Sequence, residues 1–136
     1  PTRFKKQLHR ANKSPDFVVP ETPFSTITVN YNWRTALHRD RGDYEDGFGN
    51  LIIMNGPNGD TYDGGYLGFP QWGAAVNVRQ GDFLAMDVHQ WHCNTEIVPT
   101  TNTIPFTRLS LVAYLRNGMI NCPLSQKMQK NEIIQK

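Results

Sequence analysis

Two stretches of this chain alternate with a period of two, and that period limits what the chain can fold into. From Phe24 to Trp33, Ile27, Val29, Tyr31 and Trp33 share one face, and Thr26, Thr28, Asn30 and Asn32 share the other. Successive side chains of a strand point to opposite sides, so this is a strand with one apolar and one polar face. Phe106 to Arg116 repeats the pattern. Leu109, Leu111, Ala113 and Leu115 form its apolar side; Arg108, Ser110, Val112, Tyr114 and Arg116 form the other. A basic, hydroxyl-bearing strand face either meets solvent or lines a polar cavity. Shorter strands are expected at Leu51–Met54 (buried), Gly64–Pro70, Ala74–Val78 and Phe83–Val88. Turns of Gly, Asn and Asp at 55–60 and 79–82 punctuate them. Short strands at regular spacing with little helix between them predict an antiparallel sandwich or barrel of the jelly-roll type.

The ends differ from this middle. Residues 1–23 form a basic flank and linker. Phe4 and Leu8 make a thin helical stripe beside Arg3, Lys5, Lys6, Arg10 and Lys13, and Pro15, Pro20 and Pro23 mark extended chain. The basic residues suit either phosphate contacts or a solvated helix face. Residues 24–118 form the core, and 119–136 a polar, lysine-bearing peripheral tail with helical character. With 136 residues and 38% apolar content the chain can bury one core. A net charge of +2 is compatible with nucleic acid without requiring it. Cys93 and Cys122 read as free thiols in a reducing compartment. No apolar run is long enough for a transmembrane helix, and no signal-peptide core opens the chain. The start at Pro1 rather than Met reads as a piece of something longer.

The chemistry-bearing segment follows the first strand: His38-Arg39-Asp40-Arg41-Gly42-Asp43. On extended backbone an imidazole and a carboxylate two residues apart point the same way, which makes His38 and Asp40 two ligands for one metal. Candidates for a third are Asp87, His89, His92 and Cys93; His9 lies in the basic flank. His89 and His92 have opposite strand parity, so both do not face one ion. Two His and one carboxylate leave open positions on an octahedral Fe(II). A zinc hydrolase could use the same set with a general-base Glu, for which Glu45 and Glu96 are the nearby residues.

The ordered set resembles the Fe(II)/2-oxoglutarate dioxygenases, and within them the TET/JBP group, which oxidises the methyl of 5-methylcytosine or thymine in nucleic acid. The set comprises the H-x-D after a strand, Gly64-Gly65-Tyr66-Leu67-Gly68-Phe69, Gly81-Asp82-Phe83-Leu84, a later His, and an Arg on a final polar-faced strand. The closer likeness lies in Thr28-Val29-Asn30-Tyr31-Asn32 before His38-Arg39-Asp40, and in Thr107 to Tyr114. The resemblance implies a mainly β double-stranded β-helix (jelly-roll, cupin-like) with peripheral helical segments. It also implies a metal set of His38, Asp40 and His92, with His92 preferred over His89 because it precedes Arg108 by a loop and part of a strand. Arg108 would take the far carboxylate of 2-oxoglutarate, with Ser110 two along and Arg34 as a second cation.

On the substrate side, the resemblance places Asp43 against the target base, Tyr114 stacked on it, and Arg116 where TET members carry a histidine. Trp72, Trp91, Phe48 and Tyr66 are aromatic candidates for packing around a base that must leave the duplex. The implied activity is oxidation of the methyl of 5-methylcytosine in DNA to hydroxymethyl and further. The implied setting is intracellular, and nuclear in a eukaryote. Alternatives on the same scaffold are thymine hydroxylation, ascorbate-using glyceryl transfer to 5-methylcytosine, and a dioxygenase of small molecules or proteins. An alternative of another class is a nucleic-acid-binding module without turnover.

Overall fold

The structure, a computed structural model, describes residues 2–122. Helix α1 (Thr2–Ala11) leads into β1 (Thr26–Tyr31), β2 (Gly49–Asn55), β3 (Tyr62–Gly64), β4 (Leu67–Phe69), β5 (Ala74–Val76), β6 (Phe83–Met86), β7 (Cys93–Asn94), β8 (Ile97–Pro99), β9 (Arg108–Tyr114) and α2 (Asn117–Ile120). One sheet has the order β1-β9-β2-β6; smaller sheets pair β5-β4-β7 and β3-β8, and every strand pairing is antiparallel. The mainly β jelly-roll expectation therefore holds. The expected tail beyond residue 122 lies outside the described residues.

Register decides which residues face inward. Thr28 lies opposite Val112, which lies opposite Leu51, which lies opposite Leu84, and directly opposed residues of antiparallel strands share a side. Leu51, Ile53, Leu67 and Val78 form the core, with Phe69, Leu84, Met86 and Val112 packed on it. The large sheet thus closes on β4, and each buried aliphatic side chain stabilises this closure by about 1.5–3 kcal/mol. Over Leu51–Met54 burial alternates rather than running through, with Leu51 and Ile53 inward and Met54 exposed.

The apolar faces of β1 and β9 point outward; their polar faces line the interior. Helix α1 covers one end of this outer face. Ala11, Leu115 and Ile120 form a second cluster with Val18 and Tyr44. The packed side of α1 runs through Gln7 and Ala11 rather than Phe4 and Leu8. The Gln7 amide explains this choice: it donates to Pro23 O and Phe48 O and accepts from Phe48 N, satisfying backbone that the sheet leaves free. At the other end Val29, Tyr31, Met54 and Phe83 are exposed.

Two local backbone features shape the interior. Asn32 has a positive φ of 47°, and its amide donates to Phe106 O and accepts from Arg108 N at 2.7 Å. This twist ends the alternation, so Trp33 leaves the outer face of β1 and reaches the cavity. Gly64 and Gly65, both with positive φ, break the expected Gly64–Pro70 strand into β3 and β4. A Cβ at Gly64 would lie 1.8 Å from Glu96 O, so no other residue fits there.

Candidate active site

The segment after β1 is laced to the segment carrying β7. His38 N donates to His92 O and His92 N to His38 O, each at 3.0 Å; Asp40 N donates to Val88 O and Asn94 N to Thr35 O. A mutually bonded antiparallel pair sends both side chains to one side. The His38 and His92 rings accordingly stand 4.2 Å apart, and the ligand atoms of His38, Asp40 and His92 all lie within 4.8 Å of one another. Each imidazole is oriented from behind. Nδ1 of His38 meets Ala36 O and Nδ1 of His92 meets Gln90 O, both at 2.8 Å. A carbonyl at Nδ1 fixes the proton there and leaves Nε2 as the lone-pair donor, the arrangement a metal-binding histidine needs. Burial of His92 lowers its pKa, which favours the neutral, ligating form.

The other candidates do not join this group. His89 Nδ1 meets Asp87 Oδ1 at 3.1 Å, and Asp87 also pairs with Arg3 at 3.0 Å. Cys93 lies in β7 against Gly68. Glu45 and Glu96 are exposed and line no part of the cavity.

The metal group opens into a cavity of about 430 Å³, within the size range of small-molecule sites. The inner face of β9 runs the length of it through Arg108, Ser110, Val112, Tyr114 and Arg116. At one end Arg108 is 1% exposed; its Nη2 donates to Gly65 O at 3.2 Å and its Nε has no partner. Among the described residues it makes no ion pair, and burial lowers its pKa. A buried guanidinium without a carboxylate calls for an anionic ligand. Ser110 is buried beside it on the same face. Arg34 is exposed and lies outside the cavity lining; Arg39 and Arg41, which the sequence reading left aside, contribute to it.

The far end is built by the loop after Asp40. Asp43 and Arg116 sit opposite each other in a β-bridge, fastened by Tyr44 N to Leu115 O and Asn117 N to Gly42 O. The Asp43 carboxyl is buried, which pushes its pKa up to about 6; the Asp40 charge adds to the rise, while His89 and Arg116 oppose it. Tyr114 Oη lies 3.2 Å from Thr28 Oγ1, which holds the ring over the cavity.

Trp33 and Tyr114 are the aromatics lining the cavity. The four other aromatic candidates have different partners. Trp91 carries the Arg39 guanidinium at 4.8 Å, Phe48 carries Arg3, Tyr66 carries Arg79, and Trp72 packs on Phe69. Trp33 was missed because its parity in an uninterrupted strand places it outside. The signal that could have found it is Asn32, a residue type that tolerates the left-handed region.

A jelly roll whose cavity is lined by two histidines and one carboxylate within reach of one ion, and by a buried arginine with no carboxylate partner among the described residues, defines a metal-dependent oxygenase site. Residues 1–117 match the family model described as the oxygenase domain of the 2OGFeDO superfamily (Tet_JBP), and the chain belongs to this family. That superfamily implies Fe(II) and 2-oxoglutarate, which the His-Asp-His group and the unpaired Arg108 suit.

Among curated proteins the chain is 39% identical over 115 residues to the bifunctional helicase and thymine dioxygenase JBP2 of Leishmania major, covering 83% of this chain and 10% of that protein. It is 34% identical over 133 residues to the thymine dioxygenase JBP1 of Trypanosoma brucei brucei, covering 93% of this chain and 15% of that protein. The chain thus spans about a tenth to a seventh of these relatives. Its fold matches the structure of NgTET1 in complex with 5mC DNA, with a TM-score of 0.62 and 17% identity over 85% of this chain and 44% of that one.

Proposed function

We propose that this domain hydroxylates the C5 methyl group of a pyrimidine in DNA, with His38, Asp40 and His92 holding Fe(II) and Arg108 binding 2-oxoglutarate. The observation that carries this reading is the joining of the His-Asp-His group and the buried, unpaired Arg108 in one cavity. When bound, the metal and cosubstrate supply oxygen activation, coupling conversion of 2-oxoglutarate to succinate and CO2 with hydroxylation of a C–H bond.

The chain's own residues bind and orient. His38, Asp40 and His92 would hold the metal through two imidazoles and one carboxylate, a ligand set that would leave it able to take further ligands. Arg108 offers a planar two-pronged donor to the far carboxylate, and the Ser110 hydroxyl is placed to share it. At the other end Asp43 accepts a hydrogen bond and Arg116 donates one. That pair suits the amine and ring acceptors of 5-methylcytosine, and equally the ring N–H and carbonyl oxygens of thymine. Tyr114, steadied by Thr28, supplies a flat surface for the base. The base must leave the duplex to reach this depth, and Arg39 and Arg41 at the cavity suit the flanking phosphates.

5-Methylcytosine is the base read from the sequence. Thymine is the second reading, favoured by the thymine dioxygenase activity named for relatives that are identical to this chain at over a third of the aligned positions. A DNA substrate requires an intracellular, DNA-bearing compartment, the nucleus in a eukaryote.

The test is succinate formation from 2-oxoglutarate with methylated and unmethylated duplexes, ascorbate being added and withheld. Release that depends on the methyl group, and is lost in His38→Ala, Asp40→Ala and His92→Ala with the fold intact by circular dichroism, is the expected result. Full activity in His92→Ala would overturn the ligand set. Product formed with ascorbate and no 2-oxoglutarate would overturn the cosubstrate.

A further inference from the structure

We propose that Trp91 and Trp72 form a stacking platform beside the cavity for the bases that flank the flipped nucleotide; this rests on the DNA reading given above. The Arg39 guanidinium lies over the Trp91 ring at 4.8 Å. Arg39 is exposed and also contributes to the cavity lining, which places the pair at the cavity mouth. With Arg39 over its ring, Trp91 still keeps 43% of its surface exposed, and Trp72 keeps 61%. The segments carrying the two indoles are fastened together. Trp91 N donates to Gln71 Oε1 at 3.2 Å, and Gln71 Nε2 donates to Gln90 Oε1 at 2.9 Å. Gln71 belongs to the short 3-10 turn Pro70–Trp72, whose Trp72 packs on Phe69 at 5.7 Å. One glutamine thus ties the turn bearing Trp72 to the chain bearing Trp91.

Large aromatic side chains left in water beside a site mark a recognition surface, and the chemistry here selects nucleobases. Residues 70–77 are exposed throughout and carry no charged side chain. Such a segment offers nothing to phosphates but suits the flat, apolar faces of bases. Arg39 supplies the charge next to it. Among the described residues it makes no ion pair, so its guanidinium steadies the indole by a cation–π contact and remains available to a phosphate. DNA needs this surface at this place. Extruding one base leaves its neighbours unstacked on the side it vacated. An indole restores that contact for any base, because every base has a π face. The cavity would then read the methylated base, while the platform holds the surrounding strand without reading its sequence.

The test is fluorescence anisotropy of labelled duplexes with protein holding Mn(II) and 2-oxoglutarate. One duplex has a single 5-methylcytosine and the other a single thymine as its sole 5-methylpyrimidine; each is also made with the two flanking nucleotides abasic. Trp91→Ala and Trp72→Ala should each weaken binding of the intact substrate duplex about fivefold to tenfold, the worth of one stacked base. Trp91→Phe, which keeps an aromatic face, should stay within about threefold of the wild type. On the abasic-flanked duplex the wild type should fall to the level of the alanine variants. The slope of affinity against salt should not change in Trp72→Ala, since no phosphate contact is lost. Affinities for Mn(II) and 2-oxoglutarate should not change in any variant. If the wild type binds neither duplex, the DNA reading fails and the platform with it. If the wild type binds DNA and both alanine variants bind it as tightly, the platform alone is overturned. Equal weakening on intact and abasic-flanked duplexes, or loss of Mn(II) binding in Trp91→Ala, would also overturn it, showing support of the neighbouring His92 instead of stacking. Self-association of the wild type that Trp72→Ala abolishes, with DNA binding unchanged, would assign the patch to a second copy of the chain and overturn it likewise.

Discussion

Replacing Arg108 by methionine should make the domain more stable and remove its affinity for 2-oxoglutarate. Arg108 is 1% exposed and, among the described residues, has no carboxylate partner. Burying an ion costs several kcal/mol even after relaxation, and methionine fills much of the same space with no charge. Against this, Gly65 O loses its Arg108 donor, a loss of about 1–3 kcal/mol for a buried carbonyl. The difference is a net gain of about 2 kcal/mol, or roughly 6–10 °C in Tm for a domain of this size. Scanning calorimetry of metal-free protein measures it directly. A second scan with Mn(II) and 2-oxoglutarate should raise the wild-type Tm by mass action, while 2-oxoglutarate adds nothing in the variant beyond what the metal does. If Arg108→Met melts several degrees below the wild type, the guanidinium is holding the fold together. Arg108 is then not a stored, uncompensated charge awaiting an anion.

Three further outcomes follow from the same geometry. The Asp43 pKa is raised from 3.8 to about 6, so the metal-free protein is favoured when this group is protonated. That contribution is complete below about pH 4 and is lost as pH rises through 6; it amounts to about 2–3 kcal/mol, and urea titrations of Asp43→Asn should lack that part of the slope. Gly64→Ala would place a Cβ 1.8 Å from Glu96 O at a φ of 74°, so chemical denaturation should show a loss of about 2–4 kcal/mol. His92→Ala should weaken Mn(II) binding at least about a hundredfold by titration, with an unchanged far-ultraviolet dichroism spectrum.

The strands that were legible in the sequence are those long enough to show a period. Along β9 and just past it the alternation from Arg108 to Arg116 separated the cavity face from the outer face, and the cavity bears that division out, lined by Arg108, Ser110, Val112, Tyr114 and Arg116. The pair His38 and Asp40 was legible because extended backbone puts residues two apart on one side, and the family resemblance favoured His92 over His89; the structure brings the three together. What escaped is set by short range or by contacts distant in sequence. β7 and β8 have two and three residues, too few to display a period. The packed side of α1 follows Gln7, whose amide meets backbone 41 residues away, so the apolar stripe of Phe4 and Leu8 pointed to the wrong face. The apolar side of β1 was legible as a pattern. Its outward direction was not, because a polar cavity reverses the usual link between apolar and buried.

The most direct measurement is nucleoside mass spectrometry of DNA incubated with the protein, Fe(II) and 2-oxoglutarate, on duplexes carrying 5-methylcytosine and on duplexes with thymine as the sole 5-methylpyrimidine. The account predicts a nucleoside with one added oxygen on the methyl group, formed only with 2-oxoglutarate and absent in Asp40→Ala. The base that gains the oxygen identifies the substrate. Intact 5-methylcytosine and thymine in every arm, from protein that binds metal and 2-oxoglutarate, would contradict the claim that this cavity oxidises a pyrimidine methyl group in DNA.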